Sequence, residues 1–130
     1  MSITCGEAAL LILINAILAK LWMSCYWRLQ IITAGDKRKR SDIVQSRSFK
    51  TAHAAQLNDA EYSPLFVAEL LFLHVKEVNT PLLNVMAVFG SVQYFWGKIF
   101  LPFPGHLPGV VARYGALAML CWEIFNVLNA

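Results

Sequence analysis

The sequence predicts an all-α integral membrane protein that folds as an up-down bundle of four helices. Two observations support this prediction. Of the 130 residues, 58% are hydrophobic and only 15% are charged, whereas soluble domains are nearer half apolar and a quarter charged. The apolar residues also gather into four long runs, and a chain of this size cannot bury all of them in its own core. Lipid is therefore expected to cover part of the surface.

Each of the four predicted helices is long enough to cross a bilayer, which takes about 20 residues, although the second begins polar and turns apolar only at Tyr62. The predicted helices are residues 5–34, 46–76, 81–100 and 107–129. The stretch LPFPGHLPG at 101–109 is rich in Pro and Gly and is predicted to be a loop. Because the later connections are short, neighbouring helices are expected to pack antiparallel within one domain, residues 1–130.

A basic segment after the first predicted helix sets the orientation. Six of the 11 Lys and Arg residues lie between positions 37 and 50. Such a cluster also occurs in proteins that bind nucleic acid, but beside long apolar runs it is typical of a cytoplasmic loop. We therefore predict a cytoplasmic loop at 35–46, both termini on the other side of the membrane, and no nucleic-acid partner.

The three cysteines, Cys5, Cys25 and Cys121, all lie within apolar runs. Their spacing does not match a metal-binding motif, and an odd number argues against a framework of disulfides. We expect buried free thiols and no metal site.

A stripe of mostly polar residues runs along one face of the second predicted helix. Arg47, Lys50, Ala54, Asn58 and Glu61 follow one another at intervals of three or four residues, which is helical spacing. Basic side chains come first, then an amide, then a carboxylate. This order suits a small zwitterion whose carboxylates contact the basic end and whose amine contacts Glu61. The alternative interpretation is an ordinary solvated face on a helix that emerges into water.

The same helix carries a resemblance to a known family. Residues 54–66, AAQLNDAEYSPLF, resemble the second-helix signature of the MAPEG family, the membrane-associated proteins in eicosanoid and glutathione metabolism. Other segments are similar to its microsomal glutathione transferase and leukotriene C synthase branches: LQIITAG at 29–35, QYFWGK at 93–98, PFPGH at 102–106 and RYGALAM at 113–119. The resemblance covers nearly the whole chain.

The resemblance implies a homotrimer in a lipid membrane, with glutathione as co-substrate in a cleft between subunits that opens to the cytoplasmic side. A lipophilic second substrate would enter from the bilayer. Carried over residue by residue, the glutathione-binding roles fall on Asn58, Glu61, Tyr62, Gln56 and Tyr94. The basic residues expected to contact the peptide are Arg28, Lys37, Arg38, Arg47 and Lys50.

The second Tyr of the third-helix segment is replaced by Lys98. Two further departures from the family pattern concern arginine. The leading Arg of the signature is Ala54 here, and the fourth-helix Arg that activates the thiol is replaced by His106. An Arg is always charged, whereas a His is only partly cationic near neutral pH. The candidate activators are therefore His106 and, seven residues later, Arg113. The alternatives are a plain loop histidine for His106, and an ion pair with Glu69 or Glu123 for Arg113.

These residues favour an enzyme, a membrane-bound glutathione transferase that acts on lipophilic electrophiles and also reduces lipid hydroperoxides. Two alternatives remain open. Ala54 and His106 favour a non-catalytic lipid-binding protein similar to the five-lipoxygenase-activating protein, whose branch lacks the catalytic arginines. Gln56 and the Glu61–Tyr62 pair favour a specialised eicosanoid synthase. The expected location is the endoplasmic reticulum membrane in a eukaryote and the inner membrane in a bacterium.

Overall fold

The computed structural model describes residues 2–130, and this part of the chain contains helices and no strands. The all-α prediction is therefore confirmed. The helices are α1 (Cys5–Thr33), α2 (Lys37–Gln45), α3 (Arg47–Val75), α4 (Pro81–Phe100) and α5 (Leu107–Leu128). One stretch of α1, Met23–Arg28, is π-helical.

Local sequence explains where the long helices begin. At the start of α1, the Thr4 side chain accepts a hydrogen bond from the Glu7 N–H, and the Glu7 carboxylate accepts one from the Thr4 N–H. This capping box satisfies donors that the first helical turn leaves unpaired. Pro81 and Pro108 lie in the first turns of α4 and α5. A backbone N–H in the first turn has no partner inside the helix, so its absence in proline removes no helical hydrogen bond. Residues 107–109 belong to α5, as the predicted helix 107–129 has it, so the predicted loop at 101–109 was three residues too long.

The segment predicted as a basic loop at 35–46 contains the short helix α2. Asp36 starts this helix, because its carboxylate accepts a hydrogen bond of 2.8 Å from the Lys39 N–H. A carboxylate at this position also interacts favourably with the helix dipole. Ser46 separates α2 from α3 and caps α3 by accepting from the Phe49 N–H. The prediction of a loop was wrong because Asp36, an N-cap residue type directly before the charge run, was not recognised as a helix start.

The hydrophobic core joins the four long helices. Its buried members are Cys5, Ala8, Ala9, Ile12, Phe66, Leu70, Leu73, Leu83, Ala87, Ala116 and Leu120. A close approach of α4 to α5 depends on Gly90, where an added Cβ would lie 2.7 Å from the backbone nitrogen of Arg113. Since Tyr94 follows Gly90 by one helical turn, this approach brings the ring of Tyr94 next to Arg113.

The exterior of the molecule is strongly apolar. Large hydrophobic side chains are exposed along the length of α1 and α5, including Leu10, Ile17, Val111 and Trp122. Both helices are long and apolar enough to cross a membrane. An exterior of this kind fits lipid rather than water. Cys25 and Cys121 are also exposed, so the expectation of buried thiols is right for Cys5 and wrong for the other two.

Candidate functional site

A buried arginine lies at the centre of the candidate site. Arg113 is 1% exposed, and its guanidinium carbon lies 4.1 Å from the ring centroid of Tyr62 and 3.8 Å from that of Tyr94. A third ring, that of Tyr114, is 5.9 Å away. Each such contact between a cation and an aromatic face contributes about 0.5–2 kcal/mol. We call these four residues the arginine–tyrosine cluster.

The guanidinium has few polar partners. Its Nε and Nη1 are buried and have no hydrogen-bond partner among residues 2–130. Both carboxylate oxygens of Glu69 are likewise buried and unpartnered within the described chain, so a hydrogen-bonded pair with Arg113 does not form there. Asp59 is also buried, at 3% exposed, and lies near enough to Arg113 for a Coulombic interaction between the two groups. The close contacts of Arg113 are therefore with aromatic rings, and it forms no direct ion pair with Glu69.

A hydrogen bond between two phenols ties α3 to α5. The Tyr62 hydroxyl donates to the Tyr114 hydroxyl at 2.9 Å, and the two rings meet edge to face with centroids 5.7 Å apart. Tyr62 is half-buried and Tyr114 is exposed. The bond holds the ring of Tyr62 against Arg113 while its hydroxyl stays near the surface.

Three nitrogen-containing side chains, those of Arg113, Lys98 and His106, contact Tyr94. Arg113 lies against its ring, and Lys98 donates a hydrogen bond of 3.2 Å from Nζ to its hydroxyl oxygen. The imidazole of His106 meets the ring edge to face, with centroids 5.7 Å apart. Because Lys98 donates to the phenol oxygen, the phenol hydrogen is left for another acceptor. Positive charge and a free donor are thus concentrated beside one side chain.

Several predicted site residues are thereby brought together. Tyr62, Tyr94, His106 and Arg113 form one continuous set of contacts. Asn58 lies one turn before Tyr62 on α3; it is half-buried, and its Oδ1 has no hydrogen-bond partner within residues 2–130. Asn58 therefore has an acceptor free for a ligand.

The sequence model of the MAPEG family matches residues 6–126. This chain belongs to the MAPEG family. The match includes α1 to α4 and most of α5, so it covers the whole site described above. It confirms the family predicted from the α3 signature, and it is a match to the family as a whole rather than to one branch. No curated protein and no solved structure gives a significant match to the chain.

Gln56 of this MAPEG chain lies apart from the other predicted residues of α3. It is 7% exposed and lines a groove of about 600 Å³ between α1 and α3, together with Lys20, Asp59 and Ser63. Five residues separate Gln56 from Glu61, which places them about 140° apart around a helix. Glu61 is exposed. Gln56 and Glu61 therefore lie on different sides of α3.

The predicted basic residues all lie exposed near one end of this MAPEG protein. They are Arg28 on α1, Lys37 and Arg38 on α2, and Arg47 and Lys50 at the start of α3. The end of α4 and the start of α5, which carry Lys98 and His106, lie at this same end because neighbouring long helices run in opposite directions. Clustered positive charge attracts anionic ligands such as a peptide with two carboxylates.

Four residues of the site were not predicted from the sequence: Asp59, Gln93, Lys98 and Tyr114. Asp59 could have been found, because Gln56, Asp59 and Ser63 are polar residues at helical spacing on an otherwise apolar face. Tyr114 directly follows Arg113 in the chain, but it was given no role in the site from the sequence. Gln93 hydrogen-bonds to Gly105 and Gly109, and no local pattern marks partners that lie so far along the chain.

Proposed function

We propose that this MAPEG chain is a membrane-bound glutathione transferase of the microsomal type, which conjugates glutathione to lipophilic electrophiles. The observation that carries the proposal is the convergence of Arg113, Lys98 and His106 on Tyr94. A site that ionises a thiol needs positive charge held where water does not screen it. This charge lies next to Tyr62, and one turn from Asn58, two residues of the family signature.

Activation of the thiol is the chemical requirement of the reaction. A free cysteine thiol has a pKa near ~8.5, so only a few per cent is ionised at neutral pH. Lowering that pKa by about two units takes about 2.7 kcal/mol of differential stabilisation. His106 is half-buried and can reach a ligand, whereas Arg113 is 1% exposed. We therefore propose that His106 contacts the sulfur. The positive charge of Arg113 acts on the sulfur at longer range, across the rings of Tyr62 and Tyr94.

The reaction then follows in balanced steps. Neutral His106 accepts the thiol proton, and the resulting imidazolium stays beside the thiolate and stabilises it. The sulfur attacks the electrophilic carbon with its electron pair, so that an S–C bond forms. The leaving group departs with the electrons of the bond that breaks, or an opening ring takes them onto oxygen. His106 finally returns its proton to that group or to water.

We further propose a homotrimer of four-helix subunits that cross the membrane four times. Gln56 and Glu61 point to different sides of α3, so two subunits are required if both bind one glutathione. Gln56 of one subunit would then meet Asn58, Glu61 and Tyr62 of its neighbour. The amine of glutathione contacts Glu61 and its carboxylates contact the exposed basic residues. This arrangement also gives the polar stripe of α3 a partner in place of lipid.

The groove between α1 and α3 is a suitable place for the second substrate. Its walls are mostly apolar, with Leu13, Ile17 and Val67 among them, and Gln56 lies at one side. An acyl or aromatic electrophile in this groove would be next to a residue that we assign to glutathione. The bilayer supplies such a substrate directly, because α1 exposes apolar side chains to it.

A second candidate function is binding of a lipid without catalysis. It is favoured by Ala54, which removes a cation from the signature, and by the deep burial of Arg113. In this case the groove would hold a lipid and the charged cluster would only stabilise the fold. An eicosanoid synthase is a special case of the transferase, in which the electrophile is an oxidised fatty acid.

Subunit complementation tests the proposal. Gln56→Leu and Glu61→Gln are expected to lose glutathione binding and conjugation of chlorodinitrobenzene when each is expressed alone. Co-expression should restore both, because some interfaces then combine an intact Gln56 with an intact Glu61. The matched control is co-expression of Asn58→Ala with Glu61→Gln, which alter the same face and should restore nothing. Failure of the first pair to recover contradicts a shared site, and wild-type protein that binds no glutathione supports lipid binding instead.

A further inference from the structure

The first turn of α5 lacks a cap from its own N-cap residue. His106 occupies that position, and within the described chain its side chain makes no capping hydrogen bond. The first N–H groups of a helix have no partner inside the helix and need one elsewhere. The Leu107 N–H donates to the Pro104 carbonyl and the Val110 N–H to the His106 carbonyl. Pro108 has no N–H, so the N–H of Gly109 remains to be satisfied.

Gln93 of α4 supplies the partner that Gly109 needs. Its side-chain Oε1 accepts a hydrogen bond of 2.7 Å from the Gly109 N–H. The same amide donates from Nε2 to the carbonyl of Gly105. One side chain therefore holds the backbone on both sides of His106, one residue before it and three residues after it.

The sequence leaves space for this contact at Gly109. An added Cβ there would collide with Oε1 of Gln93 and would lie 2.5 Å from the backbone nitrogen of Tyr94. Glycine thus lets the first turn of α5 rest directly on α4 beside Tyr94. Two consecutive residues of α4 therefore contact this region: Gln93 hydrogen-bonds to the backbone on both sides of His106, and Tyr94 contacts the side chains of His106 and Arg113.

We propose that Gln93 is a positioning residue of the thiol site, which caps α5 in place of His106 and leaves the imidazole free to face glutathione. A histidine that capped its own helix would turn a ring nitrogen toward the backbone and away from a ligand. With Gln93 in place, both ring nitrogens remain available for the proton transfer. The inference rests on the proposed transferase function.

Two substitutions of Gln93 separate positioning from simple packing. Gln93→Leu keeps the size of the side chain and removes both hydrogen bonds. Gln93→Glu keeps the acceptor for Gly109, but it can donate to Gly105 only when protonated. Gln45→Leu is the matched control, because Gln45 is an exposed glutamine at the end of α2. Each purified variant is compared with the wild type by amide hydrogen exchange and by the ultraviolet absorbance of bound glutathione against pH.

In Gln93→Leu we expect faster exchange at Gly109 and a bound thiol that ionises at higher pH, with the helix content unchanged. In Gln93→Glu, ionisation of the bound thiol should fall progressively further below that of the wild type as pH rises, because the introduced carboxyl group loses the proton that it donates to Gly105. Gln45→Leu should match the wild type. Faster exchange with wild-type thiol ionisation would overturn the positioning role and leave a structural cap. Unchanged exchange at Gly109 would overturn the cap itself. Wild-type protein that binds glutathione without ionising it would refute the proposed function, and with it the role of Gln93.

Discussion

The guanidinium carbon of Arg113 lies 3.8 Å from the ring centroid of Tyr94, which makes a fully buried charge part of the contact between α4 and α5. A charged side chain inside a membrane-spanning helix costs about 2.5–3.5 kcal/mol on insertion scales. Stacking on Tyr62 and Tyr94 offsets part of that cost. A charged group that costs this much to bury is expected to contribute either to folding or to chemistry.

The first prediction concerns the buried charges of Arg113 and Asp59. Arg113→Met should destabilise the protein by about 1–2 kcal/mol, because it removes the contacts of the guanidinium with the rings of Tyr62 and Tyr94 and its attraction to the Asp59 carboxyl group. Adding Asp59→Asn should recover part of the loss, with a coupling of roughly 1 kcal/mol or more. Unfolding of the detergent-solubilised protein measures all four forms of the cycle. Strictly additive losses would show that the two residues do not interact.

The hydrogen bond between Tyr62 and Tyr114 gives a second prediction. Tyr62→Phe and Tyr114→Phe remove the same bond, so each should lower stability by about 1 kcal/mol. Only Tyr62→Phe should also weaken glutathione binding, since the second hydroxyl is not assigned to the ligand. Calorimetric titration with glutathione distinguishes them. Equal weakening in both variants would mean that the phenol pair acts through structure alone.

A third prediction addresses the amine of glutathione. Glu61→Gln should raise the dissociation constant at least tenfold, because a hydrogen bond to a charged group is worth about 1.5–3 kcal/mol. Glu77→Gln, an equally exposed carboxylate beyond the other end of α3, serves as the control and should bind normally. The fold should be unaffected in both variants. Normal binding by Glu61→Gln would remove this residue from the site.

The fold class and the helix positions could be predicted because they depend on hydrophobic runs and on punctuation by Pro and Gly. The helix α2 was missed, since the run KRKR was interpreted by its charge and the capping residue Asp36 was overlooked. The π-helical stretch Met23–Arg28 has no counterpart in the sequence prediction. Both features lie near the end of the molecule where the basic residues collect, and of their residues only Met23 is buried.

The candidate site could be predicted only in part. Tyr62, Tyr94, His106 and Arg113 were identified one by one, and seven-residue spacing suggested a shared face for the last two. Their convergence on one phenol depends on the close approach of α4 and α5 at Gly90, which is a tertiary feature. The link from Gln93 to Gly109 has the same origin. Such contacts follow from helix packing rather than from any local pattern.

The most direct test of the account is the ionisation of bound glutathione. The ultraviolet absorbance of the thiolate is followed against pH in the purified protein, with His106→Ala and Arg113→Met alongside. We predict that the pKa of the bound thiol lies well below that of free glutathione. This lowering of the pKa should disappear in His106→Ala and become smaller in Arg113→Met. Glutathione that binds to the wild-type protein with the pKa of the free thiol would contradict a transferase and favour a lipid-binding protein.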